Sequence, residues 1–353
     1  MKKILILNIP GKRLYKFSFL YPFCLAVSLM LMAVSCKDDE DGGETLIGNW
    51  LEMSDFEGYP RADAVGFAIG NKGYVGTGYN GQEDERLSDF WEYDADRDTW
   101  IQRADFTGGA RNSAVGFSTD SRGYIGTGYD GRDKLKDFWE YDPGANAWTK
   151  KADFSGSARY GAVGFAINNK CYIGTGYDDY YLKDFWEYDP GTDTWRQMTS
   201  VGGSKRRDAV GFSLNGKGYI CTGIDNGSYE NDFWEYDPAS DSWTEKNPIS
   251  NVSDEAFDDG YTSIKGISKV AFAVNGKGYL ATGGEGSAGN IVWEYDPVND
   301  LWEQKTAFEG TGRADAVAFA IGNRGYVTTG RSSSYYFDDI WAFEPSSEYT
   351  QGD

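Results

Sequence analysis

An all-β fold, a ring of six four-stranded blades, is what this sequence predicts, and three observations carry the prediction. The segment "DFWEYD" and its variants recur, placing Trp at 91, 139, 186, 234, 293 and 341. A second Trp series at 100, 148, 195, 243 and 302 follows a Tyr by seven positions each time, with spacings of 48, 47, 48 and 59. Each unit also reads as four short β-like segments joined by turn residues, the grammar of a propeller blade rather than of a helical solenoid.

The four segments are plainest in the first unit. "AVGFAI" (Ala64–Ile69) is apolar and small, and the tight turn "GNKG" leads into "YVGTG" (Tyr74–Gly78). After a variable loop comes "DFWEYD" (Asp89–Asp94), and the turn "ADRD" leads to "TWIQRA" (Thr99–Ala104). In later units that turn reads "PGAN", "PGTD", "PASD" and "PVND", all Pro, Gly and Asx turn chemistry. Glycine in the second segment lets a twisted strand bring its neighbour close, and the Tyr/Trp pair fills the wide outer part of the wedge between blades.

First segments begin near Ala64, Ala114, Ala162, Ala209, Lys269 and Ala316, which counts six units. The sixth lacks its fourth segment, since no Trp follows Phe343 by seven positions. An orphan "GNWLEM" around Trp50 stands ahead of the first unit. Joining the two orphans closes the ring and leaves no open edge.

With its Gly doublet, Tyr and Trp, this pattern resembles the kelch repeat, over about residues 48–346. The doublet's first glycine is replaced by Thr77, Thr127 and Thr175, and the fifth unit is read as keeping "GG" at Gly283–Gly284. A six-bladed kelch-type β-propeller, closed by an N-terminal strand in the last blade, is the fold this resemblance implies.

Ahead of the repeats, residues 1–35 carry five positive charges and no acid, then an apolar run ending "LMAVSC" at Cys36. This is a targeting segment. An uncleaved membrane anchor competes with a secretory signal, since about 19 apolar residues suffice to span a bilayer. The "AVSC" end resembles a bacterial lipoprotein signal, which implies acylation of Cys36. Residues 36–47 open with the acidic tether "KDDEDGG". Acid directly after the lipidated Cys resembles the surface-export signal of Bacteroidota lipoproteins. The expected location is therefore the outer membrane, lipid-anchored, on the cell surface or facing the periplasm. Residues 347–353 form a tail.

Composition narrows the chemistry. The formal charge is −21, and with the five cations of the leader set aside the remainder is −21 − 5 = −26. Such a surface repels phosphate backbones and argues against nucleic acid. There is no histidine. That removes Ser-His-Asp and Cys-His nucleophile systems and the usual imidazole ligands of zinc, copper and iron. No metal site or cofactor is expected; the Asp-rich loops lack EF-hand spacing. Cys171 and Cys221 replace glycines in second segments, out of register with one another, and read as buried free thiols.

Function is expected on one rim. The loops between second and third segments diverge ("YNGQEDERLS", "YDGRDKLK", "YDDYYLK", "IDNGSYEN", "GEGSAGN", "RSSSYYFD"), whereas the tight turns of the other rim barely vary. The variable rim is rich in Tyr, Tyr180, Tyr181 and Tyr229 among them, beside Asp and Asn. This mixture suits sugars and protein surfaces alike. An Arg leads into five first segments: Arg61, Arg111, Arg159, Arg207 and Arg313. They form either a cationic ring for an anionic ligand or internal pairs with the Asp that opens each third segment. Unit five lacks both, with Ile267 near the Arg position and Ile291 at the Asp position, and joint loss favours pairing. The repeated Glu of "WEYD" reads as a packing device. Unit five also carries an insertion, Asn247–Ser268, which is expected to bring Asp258, Asp259 and Tyr261 to the contact surface.

The expected function is non-catalytic binding of a glycan or a protein, with the membrane met only through the lipid. The kelch resemblance also admits a carbohydrate-active isomerase of the sialic-acid mutarotase kind. It excludes a copper-dependent galactose oxidase, whose metal needs His.

Overall fold

The computed structural model describes residues 47–286 and 288–350. The leader, Cys36 and nearly all of the acidic tether lie outside the described residues. Six four-stranded antiparallel sheets follow one another. Blade one is Val65–Ile69, Lys72–Gly76, Phe90–Asp94 and Thr99–Gln102. The first strands of the next blades are Val115–Ser118, Val163–Ile167, Val210–Leu214, Val270–Val274 and Val317–Ile321.

Closure is as the sequence predicts. The strand Ile47–Glu52 pairs antiparallel with Ile340–Glu348, Trp50 facing Phe343, and becomes the fourth strand of blade six. Trp50 is fully buried and lies 4.9 Å from the ring of Phe308, as the fourth-strand Trp148 lies 4.9 Å from Phe106. One chain end thus completes the sheet begun by the other.

The core is a set of wedges between blades. Between blades one and two, Val65, Phe67, Tyr74, Phe90, Phe106, Ile125 and Tyr141 are buried together, with Trp139 and Trp148 against them. Glycine is required at this seam: a Cβ on Gly123 would stand 2.3 Å from the ring of Phe67 in the preceding blade. Cys171 takes the equivalent place in blade three, and both it and Cys221 are buried and free. The Glu of "WEYD" is a hydrogen-bonding device, accepting from a second-strand Tyr hydroxyl in blades one to five, as Glu92 does from Tyr74 at 2.8 Å.

Two registers differ from the sequence reading. In blade four the residue four positions before the first strand, the place of Arg61, Arg111, Arg159 and Arg313, is Arg206, not Arg207. In blade five the doublet's first position is Thr282, followed by Gly283, so a positive-φ Thr occupies this place in all six blades. Gly284 is the next residue along.

Candidate functional site

Five blades share a buried hub. Arg61, Arg111, Arg159, Arg206 and Arg313 are at most 1% exposed, and each pairs with the Asp preceding its third strand: Asp89, Asp137, Asp184, Asp232 and Asp339. Arg61 binds both oxygens of Asp89 at 2.6 Å and also donates to the Thr77 carbonyl at 3.0 Å. The indole of Trp91 donates to the same carboxylate at 2.8 Å. Burial works against the charge of Asp89, yet the Arg61 guanidinium holds its carboxyl below the ordinary value. With both partners committed, these arginines serve pairing rather than a ligand ring.

Blade five is rewired. Gly266 stands where the Arg would be, Ile291 where the Asp would be. Lys269 donates to the Thr282 carbonyl at 3.2 Å, taking over the Arg's hydrogen bond, and burial lowers its pKa to about 8. The indole of Trp293 turns to Ser263 in the insertion. That insertion folds inward. Tyr261 is 5% exposed, accepts from the backbone N–H of Trp302 at 2.7 Å, and packs on Trp293. Asp258 is buried and accepts from the N–H groups of Val252 and Ser253 at 3.0 and 2.9 Å. Asp258 and Tyr261 therefore belong to the framework, contrary to the expectation that they form a contact surface. Only Asp259 of that trio is exposed. The sequence showed a long link but not that the link must replace the lost pair.

The residue two after each Arg position lies at the channel mouth: Asp63, Ser113, Gly161, Asp208, Ser268 and Asp315. All six have φ between 52° and 61°. Five backbone hydrogen bonds run from blade to blade around them: Asp63 N to Asp315 O, Ser113 N to Asp63 O, Gly161 N to Ser113 O, Asp208 N to Gly161 O and Asp315 N to Ser268 O. Arg207 lies here too, paired with Asp208 at 2.5 Å, and Arg331 pairs with Asp315 at 2.8 Å. Burial, then the charges of Asp315 and Asp208, pushes the Asp63 carboxyl up to about 8; burial raises Asp208 to about 6 against the pull of Arg207. A legible signal existed: "RADA", "RRDA" and "RADA" recur at Arg61, Arg206 and Arg313.

The repeat, the closure, and the glycine-lined wedge with its Tyr and Trp are now all in place. The chain is a six-bladed β-propeller. A family model described as the KLHDC2/KLHL20/DRC7 Kelch-repeats domain matches residues 50–214. No curated protein matches the chain. Among solved structures, that of YjhT is 17% identical, covers 82% of this chain and 95% of its own, and superposes with a TM-score of 0.67. At that identity the likeness speaks for the fold alone.

On this propeller the variable rim carries an aromatic arc. Tyr336 meets Tyr79 at 6.2 Å, and Arg86 lies 5.4 Å over Tyr79 and 5.0 Å over Tyr129. Tyr129, Tyr160, Tyr177 and Tyr181 then follow at 6.0, 5.6 and 5.3 Å, with Arg207 over Tyr160 and Lys134 over Tyr177. Cations over ring faces hold such an arc in place. Between blades two and three it borders a cleft of about 760 Å³ lined by Asn112, Tyr129, Lys134, Tyr160, Tyr177 and Asp178 with neighbouring residues. Tyr180, 75% exposed, stands at the adjoining loop tip. Tyr229 lies on the blade-four ribbon, its hydroxyl close to Gly286 of blade five and apart from the cleft. Among the described residues, no group of three His, Cys, Asp or Glu is arranged to hold a metal ion.

Proposed function

We propose that this protein is a non-catalytic recognition propeller, lipid-anchored through Cys36 at the outer membrane, that holds a glycan on its tyrosine-rich rim. The observation that carries this reading is the cleft between blades two and three. Its cations are already matched, Lys134 to Asp179 at 2.6 Å and Arg132 to Asp133 at 3.3 Å, while Asp178 accepts from the Tyr180 N–H at 3.1 Å. An anionic ligand would have to break one of these ion pairs, whereas hydroxyl groups can share the contacts. Tyr faces and edges supply the apolar half of a sugar site.

The test is a glycan array and a pull-down using the mature chain with Cys36→Ala. Neutral glycans should bind, and Tyr160→Ala or Tyr177→Ala should weaken binding tenfold or more. Retention of proteins only, with the array silent, would replace the glycan by a protein partner.

A second reading rests on Asp63. A carboxyl kept protonated near neutral pH, across the channel mouth from a lower-pKa acid, Asp208, is an acid and base set of the kind that proton transfer at a sugar's anomeric carbon uses. Accelerated mutarotation by the wild type, abolished in Asp63→Asn, would establish it.

A further inference from the structure

We propose that a hollow between blades five and six, beyond the Tyr336 end of the aromatic arc, is a separate site for a compact anionic group, a carboxylate or a phosphate. This goes beyond the rim reading and does not depend on it. One wall position sets this hollow apart, the first residue of each loop after the positive-φ Thr and Gly. It is Tyr79, Tyr129 and Tyr177 in blades one to three, Ile224 in blade four, Gly284 in blade five and Arg331 in blade six. Where the first three blades raise an aromatic wall, blade five presents only a backbone.

Beside it lies a hollow of about 470 Å³, lined by Ile267, Ser268, Ala314, Arg331, Ser332 and Ser333 with the adjoining glycine-rich loop. Glycine holds that blade-five wall low. A Cβ on Gly266 would sit 2.6 Å from the Gly284 backbone, and one on Gly289 would sit 2.2 Å from the Gly283 carbonyl. Glycine at 266 and 289 thus lets the neighbouring backbone close against Gly283 and Gly284.

Arg331 gives the hollow its chemistry. Its Nε donates to Asp315 at 2.8 Å, which fixes the guanidinium plane, and its side chain is 42% exposed. Both Nη groups are without an acceptor among the described residues, as are the hydroxyls of Ser268, Ser332 and Ser333. A guanidinium oriented along one edge and open along the other, with three hydroxyl donors nearby, is a fork for a planar or tetrahedral oxyanion. Asp315 occupies only the Nε edge. Asp63, the other acid that feels Arg331, has its carboxyl raised to about 8 by burial and its acidic neighbours, so it adds little repulsion at neutral pH.

The experiment is an NMR titration of the mature chain with inorganic phosphate, glucuronate and glucose as separate probes. Phosphate or glucuronate should bind saturably and shift residues 331–333, and glucose should not; which anion binds distinguishes the two sources. Arg331→Gln should weaken binding tenfold or more. Ser332→Phe, which fills the hollow without touching the Arg331–Asp315 pair, should do the same at an unchanged melting temperature. Equal binding of glucose and glucuronate, no anion binding, or full affinity in both variants would overturn the site. None of these outcomes bears on the Tyr160 variant, so the two readings fail separately.

Discussion

The indole N–H of Trp293 donates to Ser263 Oγ at 3.2 Å, whereas in the other five blades the equivalent indole donates to the Asp that holds the buried Arg, at 2.7 to 2.9 Å. A buried indole needs an acceptor. Once blade five lost its Asp, the acceptor had to come from elsewhere, and the insertion brings it. The same segment fills the wedge with Ile249, Tyr261 and Ile264. Its length follows from a packing requirement.

The insertion should therefore behave as core. Tyr261→Ala should cost about 3 kcal/mol, in the range for truncating a buried aromatic. Asp258→Ala should also destabilise, because two backbone donors lose their acceptor, while Asp259→Ala should stay within about 0.5 kcal/mol. Urea unfolding followed by tryptophan fluorescence checks all three. Equal stability of Tyr261→Ala and wild type would mean that the segment does not pack as described.

The Arg–Asp hubs should be strongly coupled. Arg111→Ala leaves Asp137 part-buried without its cation, at a cost of about 3–5 kcal/mol. Replacing both partners, Arg111→Met with Asp137→Leu, should cost clearly less than the sum of the single changes. A double-mutant cycle measures this, and additivity would refute the pairing.

How much of this was legible follows from what repeats. Blade number, closure by Trp50, the free buried cysteines and the Arg–Asp pairing could be read because each recurs or completes a pattern. Arg206 was missed because two arginines stand side by side, and only the distance to Val210 separates them. The inward fold of Asp258 and Tyr261 was illegible, since a single unrepeated segment offers no comparison showing which face it buries. The arc of Tyr79, Tyr129 and Tyr177 was visible as residues but not as a surface, because Arg86 and Lys134 reach it across blades.

Stability should fall as pH rises through the range set by Asp63. Its folded pKa, about 8, lies above the ordinary 3.8, so between these values the folded state holds more protons than the unfolded chain. Folding is then penalised progressively from about pH 4 to pH 8. Asp63→Asn removes the titration, so the variant should gain on the wild type at pH 8 and match it near pH 4. Thermal melts at the two values decide it; a gain of the same size at both would place the cause outside this carboxyl.

Removal of the closing strand should be severe. Deleting residues 36–54 strips Ile47–Glu52 from blade six and takes Trp50 out of its wedge with Phe308 and Phe343. The Ile340–Glu348 strand becomes an open edge. The melting temperature should drop sharply and light scattering should rise on heating. An unchanged melt would contradict closure.

The six positive-φ threonines give the last prediction. Thr77, Thr127, Thr175, Thr222, Thr282 and Thr329 all have φ between 57° and 63°, a region a β-branched residue occupies at a cost of about 1–2 kcal/mol. In five of them the hydroxyl is buried without a partner; only Thr222 finds one, accepting from the Val210 N–H at 3.3 Å. What each blade uses is the Thr carbonyl, which accepts from the hub Arg or, in blade five, from Lys269. A glycine keeps that carbonyl, relieves the backbone and removes the stranded hydroxyl, against an entropic cost of about 1 kcal/mol. Thr127→Gly should therefore be stabilising by about 1 kcal/mol, and Thr222→Gly, which gives up a bond, should gain less. Equilibrium unfolding of the two variants side by side checks both sign and order. A loss of stability in Thr127→Gly would mean that the side chain is held for its packing.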